Sequence, residues 1–217
     1  MIDFNSLKQF SELQQKDVTE NLIPIASEKE MLNANFVTEH TYKVIMRPAA
    51  GRYGSAISKV RIYTNDDTDY LVKSELLENT SSKTVFKITG NTDKEYVFPL
   101  TITAGSTYGG DDTYKPIKSF LDGGNVWVWL SAGGWYIPLT YEFECRNIST
   151  FQFQPNWNGH GNDGRYGSAC IIQVYCDDKL VFDQPLNGLQ SRSRINLKFS
   201  DYETCTSFVD VSPDSWY

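Results

Sequence analysis

The residues best suited to chemistry lie in one loop, 156–166, which reads Asn-Trp-Asn-Gly-His-Gly-Asn-Asp-Gly-Arg-Tyr. Its three glycines let the backbone approach a ligand closely, and Trp157 offers a flat apolar face. Sugars require such a pairing, because their rings present C–H patches beside a rim of hydroxyls. The loop therefore predicts a carbohydrate-binding surface. The alternatives are a turn-rich loop that buries its tryptophan and an Arg165 that closes the loop by a salt bridge to Asp163 or Asp177.

The arginine of this loop belongs to a motif that the chain contains twice. Residues 51–56 and 164–169 both read Gly-Arg-Tyr-Gly-Ser-Ala, so Arg52 is the counterpart of Arg165. Each copy leads into an alternating apolar run and then a pair of aspartates. This agreement predicts a tandem duplication of one unit, and the alternative is a pair of similar hairpins within one fold.

A second aromatic segment, 124–136, supplies another candidate ligand platform. Its alternation places Trp127 and Trp129 on one face, which favours core packing. Trp135 follows two glycines and is the better candidate for exposure. The predicted ligand-binding residues are Trp135, Trp157, His160, Asp163, Arg165, Tyr166 and Arg52.

Catalysis finds little support in the sequence. Histidine occurs only at positions 40 and 160, and His160 lies among glycines with no nucleophile motif nearby. The aspartate pairs at 111–112 and 177–178 are poor candidates for a glycosidase, because neighbouring residues on a strand point to opposite faces. We therefore expect a non-catalytic protein.

The four cysteines all lie in the second half, at positions 145, 170, 176 and 205. On one extended strand Cys170 and Cys176 would lie about 20 Å apart, too far for a disulfide. The spacings fit no zinc motif. We expect reduced, partly buried thiols.

Composition limits the partners of the chain. Its 217 residues carry a formal net charge of −7, which disfavours nucleic acid and anionic lipid. No apolar run reaches the roughly 18 residues that span a bilayer, so membrane insertion is not expected. The first residues lack the features of a secretory signal, which predicts synthesis in a host cytoplasm and delivery outside a cell as part of a virion.

Apolar periodicity predicts an all-β chain with one helix. Residues 4–18 carry apolar side chains at three-residue steps and predict the helix. Short strands at regular spacing predict sandwiches. We expect two tandem jelly-roll-like β-sandwiches, one in 1–103 with the short N-terminal helix and one in 104–217. The predicted strands are 41–46, 56–64, 69–73, 84–89, 95–103, 125–130, 136–143, 150–155, 169–176, 179–183, 194–199 and 206–211.

The second half also carries a set of short motifs in a familiar order. Residues 120–123 read Phe-Leu-Asp-Gly, 129–131 read Trp-Leu-Ser, and 137–143 form an apolar alternation. In this order they resemble the discoidin-like branch of the galactose-binding-domain superfamily, and 181–197 resembles a related carbohydrate-binding module. The resemblance implies an eight-stranded jelly roll that binds sugars, lipids or proteins through loops at one end, with the first half as a degenerate copy.

The same superfamily includes fucose-binding F-type lectins, which the chain resembles more faintly. The resemblance implies that Arg165 holds the position of the second of two sugar-binding arginines. In the first half Arg47 would correspond to the first of these arginines, at a shorter spacing. In the second half the corresponding residues, 155–158, include no arginine. Fucose specificity therefore does not carry over.

The resemblance further implies a structural calcium ion at the Asp-Gly turn. Asp122 and Asn125 have suitable oxygen ligands. The position of the family's threonine is filled by Val126 or Trp127, and no matching glutamate stands near 209–211. Calcium is the only cofactor that the sequence suggests.

Two functions remain for the chain. One is a carbohydrate- or receptor-binding module on a phage-like tail or fibre, which would bind a glycan or a host-surface receptor. The other is a structural assembly, adaptor or decoration protein that contacts other virion proteins. Either role places the chain in an oligomeric assembly, and exposure of loop 156–166 separates them.

Overall fold

The computed structural model describes residues 39–49, 54–65, 74–89, 97–110, 114–119, 128–155, 169–189 and 193–211. In this part of the chain 65% of the residues lie in strands, and the all-β class is confirmed. The predicted helix at 4–18 lies outside the described residues. Within them, no helix is long and apolar enough to cross a membrane.

The strands follow the predicted ones closely, with one exception. All but β3 coincide with a predicted strand to within a few residues. The sequence of β3, Ser-Glu-Leu-Leu-Glu-Asn, has no alternation, and the strand predicted at 69–73 lies outside the described residues. The strands are β1 His40–Pro48, β2 Ala56–Thr64, β3 Ser74–Asn79, β4 Lys83–Thr89, β5 Val97–Ala104, β6 Val128–Leu130, β7 Leu139–Cys145, β8 Ile148–Gln154, β9 Cys170–Cys176, β10 Lys179–Leu186, β11 Arg194–Phe199 and β12 Cys205–Asp210.

The strands form two antiparallel sheets. The seven-stranded sheet has the order β10-β9-β1-β7-β5-β4-β3, and the five-stranded sheet has the order β12-β11-β8-β2-β6. Alternation fixes the face that each strand turns inward. In β1, for example, Tyr42, Val44 and Met46 are buried, and in β7 so are Tyr141 and Phe143.

The two sheets share one aromatic-rich core. Tyr141 of the seven-stranded sheet meets Phe151 of the five-stranded sheet edge to face, with ring centroids 5.5 Å apart. Phe143 and Phe153 also contact Phe151, and all four side chains are buried. These contacts tie the sheets face to face, which is the arrangement of a β-sandwich.

Both sheets contain strands from both halves of the chain. β1 lies between β9 and β7, and β2 lies between β8 and β6. All of the described residues belong to one compact unit. The described strands therefore do not match a pair of tandem sandwiches at 1–103 and 104–217. Alternation shows which face of a strand is buried, but it does not show which strand is its neighbour.

The repeated motif nevertheless has a counterpart in the fold. The chain passes from the seven-stranded to the five-stranded sheet between β1 and β2, and it passes in the opposite direction between β8 and β9. The strands that flank these two crossovers pair with each other, since β1 pairs with β9 and β2 pairs with β8. A register shift between Ser58 and Arg61 marks a bulge in β2, which has no counterpart in β9. The arrangement is closer to two similar motifs within one fold.

A fragment of residues 104–217 is predicted not to fold alone. It lacks β1, an internal strand of the seven-stranded sheet, and β2, an internal strand of the five-stranded sheet. Its remaining strands would therefore expose unpaired edges and apolar core surface. We expect no cooperative urea transition from the fragment and a recovered transition after co-expression with residues 1–103. A cooperative transition from 104–217 alone would support independent tandem domains.

Removing one core ring tests the shared core. Phe151→Ala should lower the free energy of unfolding by about 3–5 kcal/mol, because it removes contacts to both sheets. The matched control is Phe208→Ala on the edge strand β12, where the side chain is 61% exposed. It should change the stability by about 0.5 kcal/mol or less. If both variants lost the same free energy of unfolding in urea, the result would contradict a core shared by the two sheets.

Candidate functional site

Trp135 is the only predicted ligand-binding residue within the part of the chain that the structure describes. The roles of the others stay predictions. Those outside the described residues are Trp157, His160, Asp163, Arg165, Tyr166 and Arg52, together with both calcium candidates, Asp122 and Asn125.

The described residues that flank the two copies of the motif meet at one end of the sandwich. β1 and β9 pair as far as Pro48 and Cys170, and just beyond them the Ala49 N–H donates a hydrogen bond to the Ala169 carbonyl at 2.8 Å. The first copy begins two positions after Ala49, and the second copy ends at Ala169. We call this region, Pro48, Ala49, Gly54, Ser55 and Ala169, the repeat end.

Ser131 holds Gly54 and Ser55, two residues of the first copy, in place within the repeat end. The Ser55 N–H donates to Ser131 Oγ at 2.8 Å, and the Ser131 N–H donates to the Ser55 carbonyl at 2.9 Å. Ser55 Oγ also donates to the Pro48 carbonyl at 2.8 Å. Gly54 has a φ of +128°, and a Cβ there would lie 2.7 Å from the Ser131 carbonyl oxygen. The glycine and serine of the motif therefore have structural roles in the first copy.

An exposed aromatic pair stands beside these residues. Gly133 and Gly134 have positive φ angles, which turn the chain sharply before Trp135. The Tyr136 N–H donates to the Pro48 carbonyl at 3.2 Å, which anchors the turn to the repeat end. The exposed fraction of Trp135 is 67%, as its position after two glycines predicts. Its ring centroid lies 6.2 Å from that of Tyr136, and we call this pair the aromatic ledge.

Other aromatic and polar candidates have structural partners. Trp129 is fully buried, as its alternation predicts, and its Nε1 donates to the Ser106 carbonyl at 3.1 Å. Arg47, one residue before Pro48, donates to the Gln173 side-chain oxygen at 2.7 Å. These contacts place Trp129 in the core and Arg47 on the seven-stranded sheet beside the repeat end.

The thiols and the metal-ligating side chains are not part of the aromatic ledge. All four cysteines are free, and Cys145, Cys170 and Cys176 are buried. Burial raises the pKa of the Cys205 thiol to about 12. Among the described residues, the group able to hold a metal ion is His40 with Cys176 and Asp177, at the other end of β1.

Comparisons of the chain with protein-family models, with curated proteins and with solved structures return no match. The likeness to the galactose-binding superfamily stays a sequence-based prediction. The residues at the repeat end, and the chemistry that they offer, therefore define the candidate site.

Substitution of Gly54 tests the contact that holds the first copy. Gly54→Ala combines a strained φ with a contact to backbone oxygen, and it should lower the free energy of unfolding by about 2–3 kcal/mol or more. Gly133→Ala is the control, because its φ is also positive but nothing lies within 4 Å of the added Cβ. It should cost about 1–2 kcal/mol in the same urea titration. If Gly54→Ala and Gly133→Ala lost the same free energy of unfolding, the contact with Ser131 would not restrict position 54.

Proposed function

We propose that the protein is a non-catalytic module that binds a neutral glycan, or a glycosylated host-surface receptor, at the repeat end. The observation that carries the proposal is the aromatic ledge. Trp135 presents most of its surface to solvent from a turn that the hydrogen bond between the Tyr136 N–H and the Pro48 carbonyl anchors to the end of β1. A large exposed aromatic side chain on an anchored turn is typical of a surface that contacts a ligand.

The chemistry of the ledge suits a sugar ring. An indole face stacks on the C–H patch of a pyranose, and the adjacent Tyr136 hydroxyl can hydrogen bond to the hydroxyl rim. The negative net charge of the chain favours a neutral ligand over an anionic one. The ledge and its surroundings therefore fit a neutral glycan better than a phosphate-bearing or acidic ligand.

The arginines of the two copies are the proposed polar partners of the ledge. Arg52 lies three positions from Ala49, and Arg165 lies four positions from Ala169. We propose them as partners because so few residues, each spanning at most about 3.6 Å, separate them in the sequence from the repeat end. Trp157, His160, Asp163 and Tyr166 belong to the same proposed site through the loop that precedes Ala169.

A small solvent-facing sugar site is expected to bind weakly, with a dissociation constant on the order of 0.1–1 mM. Useful attachment would then require many copies on one particle. A phage-like tail or fibre, which is the setting that we propose, supplies such copies and raises the overall avidity.

Assembly into a virion without a glycan ligand is the second candidate function. Exposed apolar side chains on edge strands favour it. Leu76 and Leu77 lie on β3, at one edge of the seven-stranded sheet, and Phe208 lies on β12, at an edge of the five-stranded sheet. Apolar sheet edges are surfaces that a neighbouring subunit can cover.

Loss of the indole ring should abolish glycan recognition. We expect Trp135→Ala to weaken the affinity of each site at least about tenfold, a change of about 1.4 kcal/mol. A glycan array that displays the protein in many copies should register this as a larger loss of binding. The matched control is Leu77→Ala, which removes another exposed apolar side chain, 59% accessible, from a distant edge. Its binding should equal that of the unchanged protein.

Trp157→Ala and Arg165→Ala extend the test to the second copy and its loop. Both should weaken binding to the same glycan. Binding that survives all three substitutions would rule out a glycan site at the repeat end. If the unchanged protein binds no glycan and no host-cell surface, the assembly function becomes the better account.

A further inference from the structure

Three metal-ligating side chains meet at the end of β1 opposite to the repeat end. His40 is the first residue of β1, Cys176 is the last residue of β9, and Asp177 begins the turn that follows. The pairing of Tyr42 with Cys176 places His40 beside this turn. One ligand atom from each of the three side chains lies within 4.8 Å of the other two.

His40 and Asp177 are held in place from several directions. The His40 Nδ1 and an Asp177 carboxylate oxygen are hydrogen bonded at 2.6 Å. The His40 ring stacks on Tyr202, with centroids 4.2 Å apart and planes 6° from parallel. The other Asp177 oxygen accepts from the Thr41 N–H at 2.9 Å, and the Asp177 N–H donates to the Thr41 carbonyl. The imidazole and the carboxylate are therefore oriented before any ion binds.

The Cys176 thiol completes the group from the buried side. Burial, with a smaller contribution from the Asp177 charge, raises the pKa of this thiol to about 12. The ion-free thiol is therefore neutral and a poor nucleophile, which argues against a catalytic Cys-His-Asp triad. The buried Tyr42 hydroxyl lies against the thiol but makes no hydrogen bond of good geometry to it. An O–H donor in this position suits a metal-bound thiolate, which accepts hydrogen bonds better than a thiol does.

We propose that His40, Cys176 and Asp177 bind a zinc ion. Thiolate sulfur, imidazole nitrogen and carboxylate oxygen form a donor set that suits zinc and not calcium or magnesium. Three protein ligands leave the fourth tetrahedral position to water. The Asp177 side chain is 52% exposed, so an ion can enter from that side.

The hydrogen-bonded pair of His40 and Asp177 must open to admit the ion. Zinc takes the place of the proton that His40 and Asp177 share. Their nitrogen and oxygen must then separate from 2.6 Å to roughly 3.3 Å, the spacing of two tetrahedral ligands at bonds of about 2.0 Å. The Nδ1 proton is replaced by one on Nε2, and the Cys176 thiol proton passes to solvent, so the site gains a doubly charged ion and one thiolate.

Cobalt(II) is the probe for this site, because a cobalt–thiolate bond gives a charge-transfer absorption and tetrahedral cobalt gives visible bands. We expect one Co²⁺ per reduced, intact chain, displaced by Zn²⁺. Cys176→Ser should remove the charge-transfer absorption, whereas Cys205→Ser, on β12, should leave it unchanged. A band that persists in Cys176→Ser, or the absence of any thiolate band in the unchanged protein, would overturn the proposal.

The turn after β9 provides a second test that does not disturb the core. Asp177 and Asp178 are adjacent and both have positive φ, 47° and 64°, a conformation that asparagine tolerates. Asp177→Asn should weaken Co²⁺ binding at least about tenfold, and Asp178→Asn should not. Circular dichroism establishes that each variant is folded. Equal affinities in these two variants would show that the carboxylate of Asp177 is not a ligand.

Discussion

The pairing of β1 with β9 is the interaction on which the rest of the structure depends. β1 comes before β9 by more than a hundred residues, yet they form a continuous antiparallel ladder as the second and third strands from one edge of the seven-stranded sheet. The register of this ladder decides what meets at each end. At one end Pro48 faces Cys170, which brings together the residues that flank both copies of the repeated motif. At the other end the same register places His40 beside Asp177.

The aromatic core gives both ends a rigid support. Tyr141 and Phe151 hold the two sheets against each other, while β7 pairs with β1 on the side opposite to β9. β1 itself spans nine residues, or about 26 Å along the strand. The proposed glycan site and the proposed zinc site are therefore separate surfaces. They share the ladder, and through it a common dependence on the stability of the sheet.

The alternation of apolar and polar residues predicted where the strands lie in the sequence, but it did not predict which strands are neighbours in the sheets. β7 and β9 were recognisable because buried and partly exposed residues alternate along them, whereas β3 is a largely exposed edge strand without that pattern. The repeated motif revealed two related segments, but not that the strand before each copy pairs with the strand after the other copy. Two glycines were enough to predict the exposure of Trp135. The zinc ligands escaped prediction because 137 positions separate His40 from Asp177, and only strand pairing brings them together.

Cross-strand nuclear Overhauser effects between backbone protons report directly on the pairing of β1 with β9 and of β2 with β8. In uniformly deuterated protein with protonated amides, the account predicts contacts between β1 and β9, such as Val44 with Val174, and between β2 and β8, such as Ile62 with Phe151. These contacts cannot form if each half of the chain folds into its own sandwich. Contacts of β1 and β2 only with β3, β4 and β5 would contradict the account.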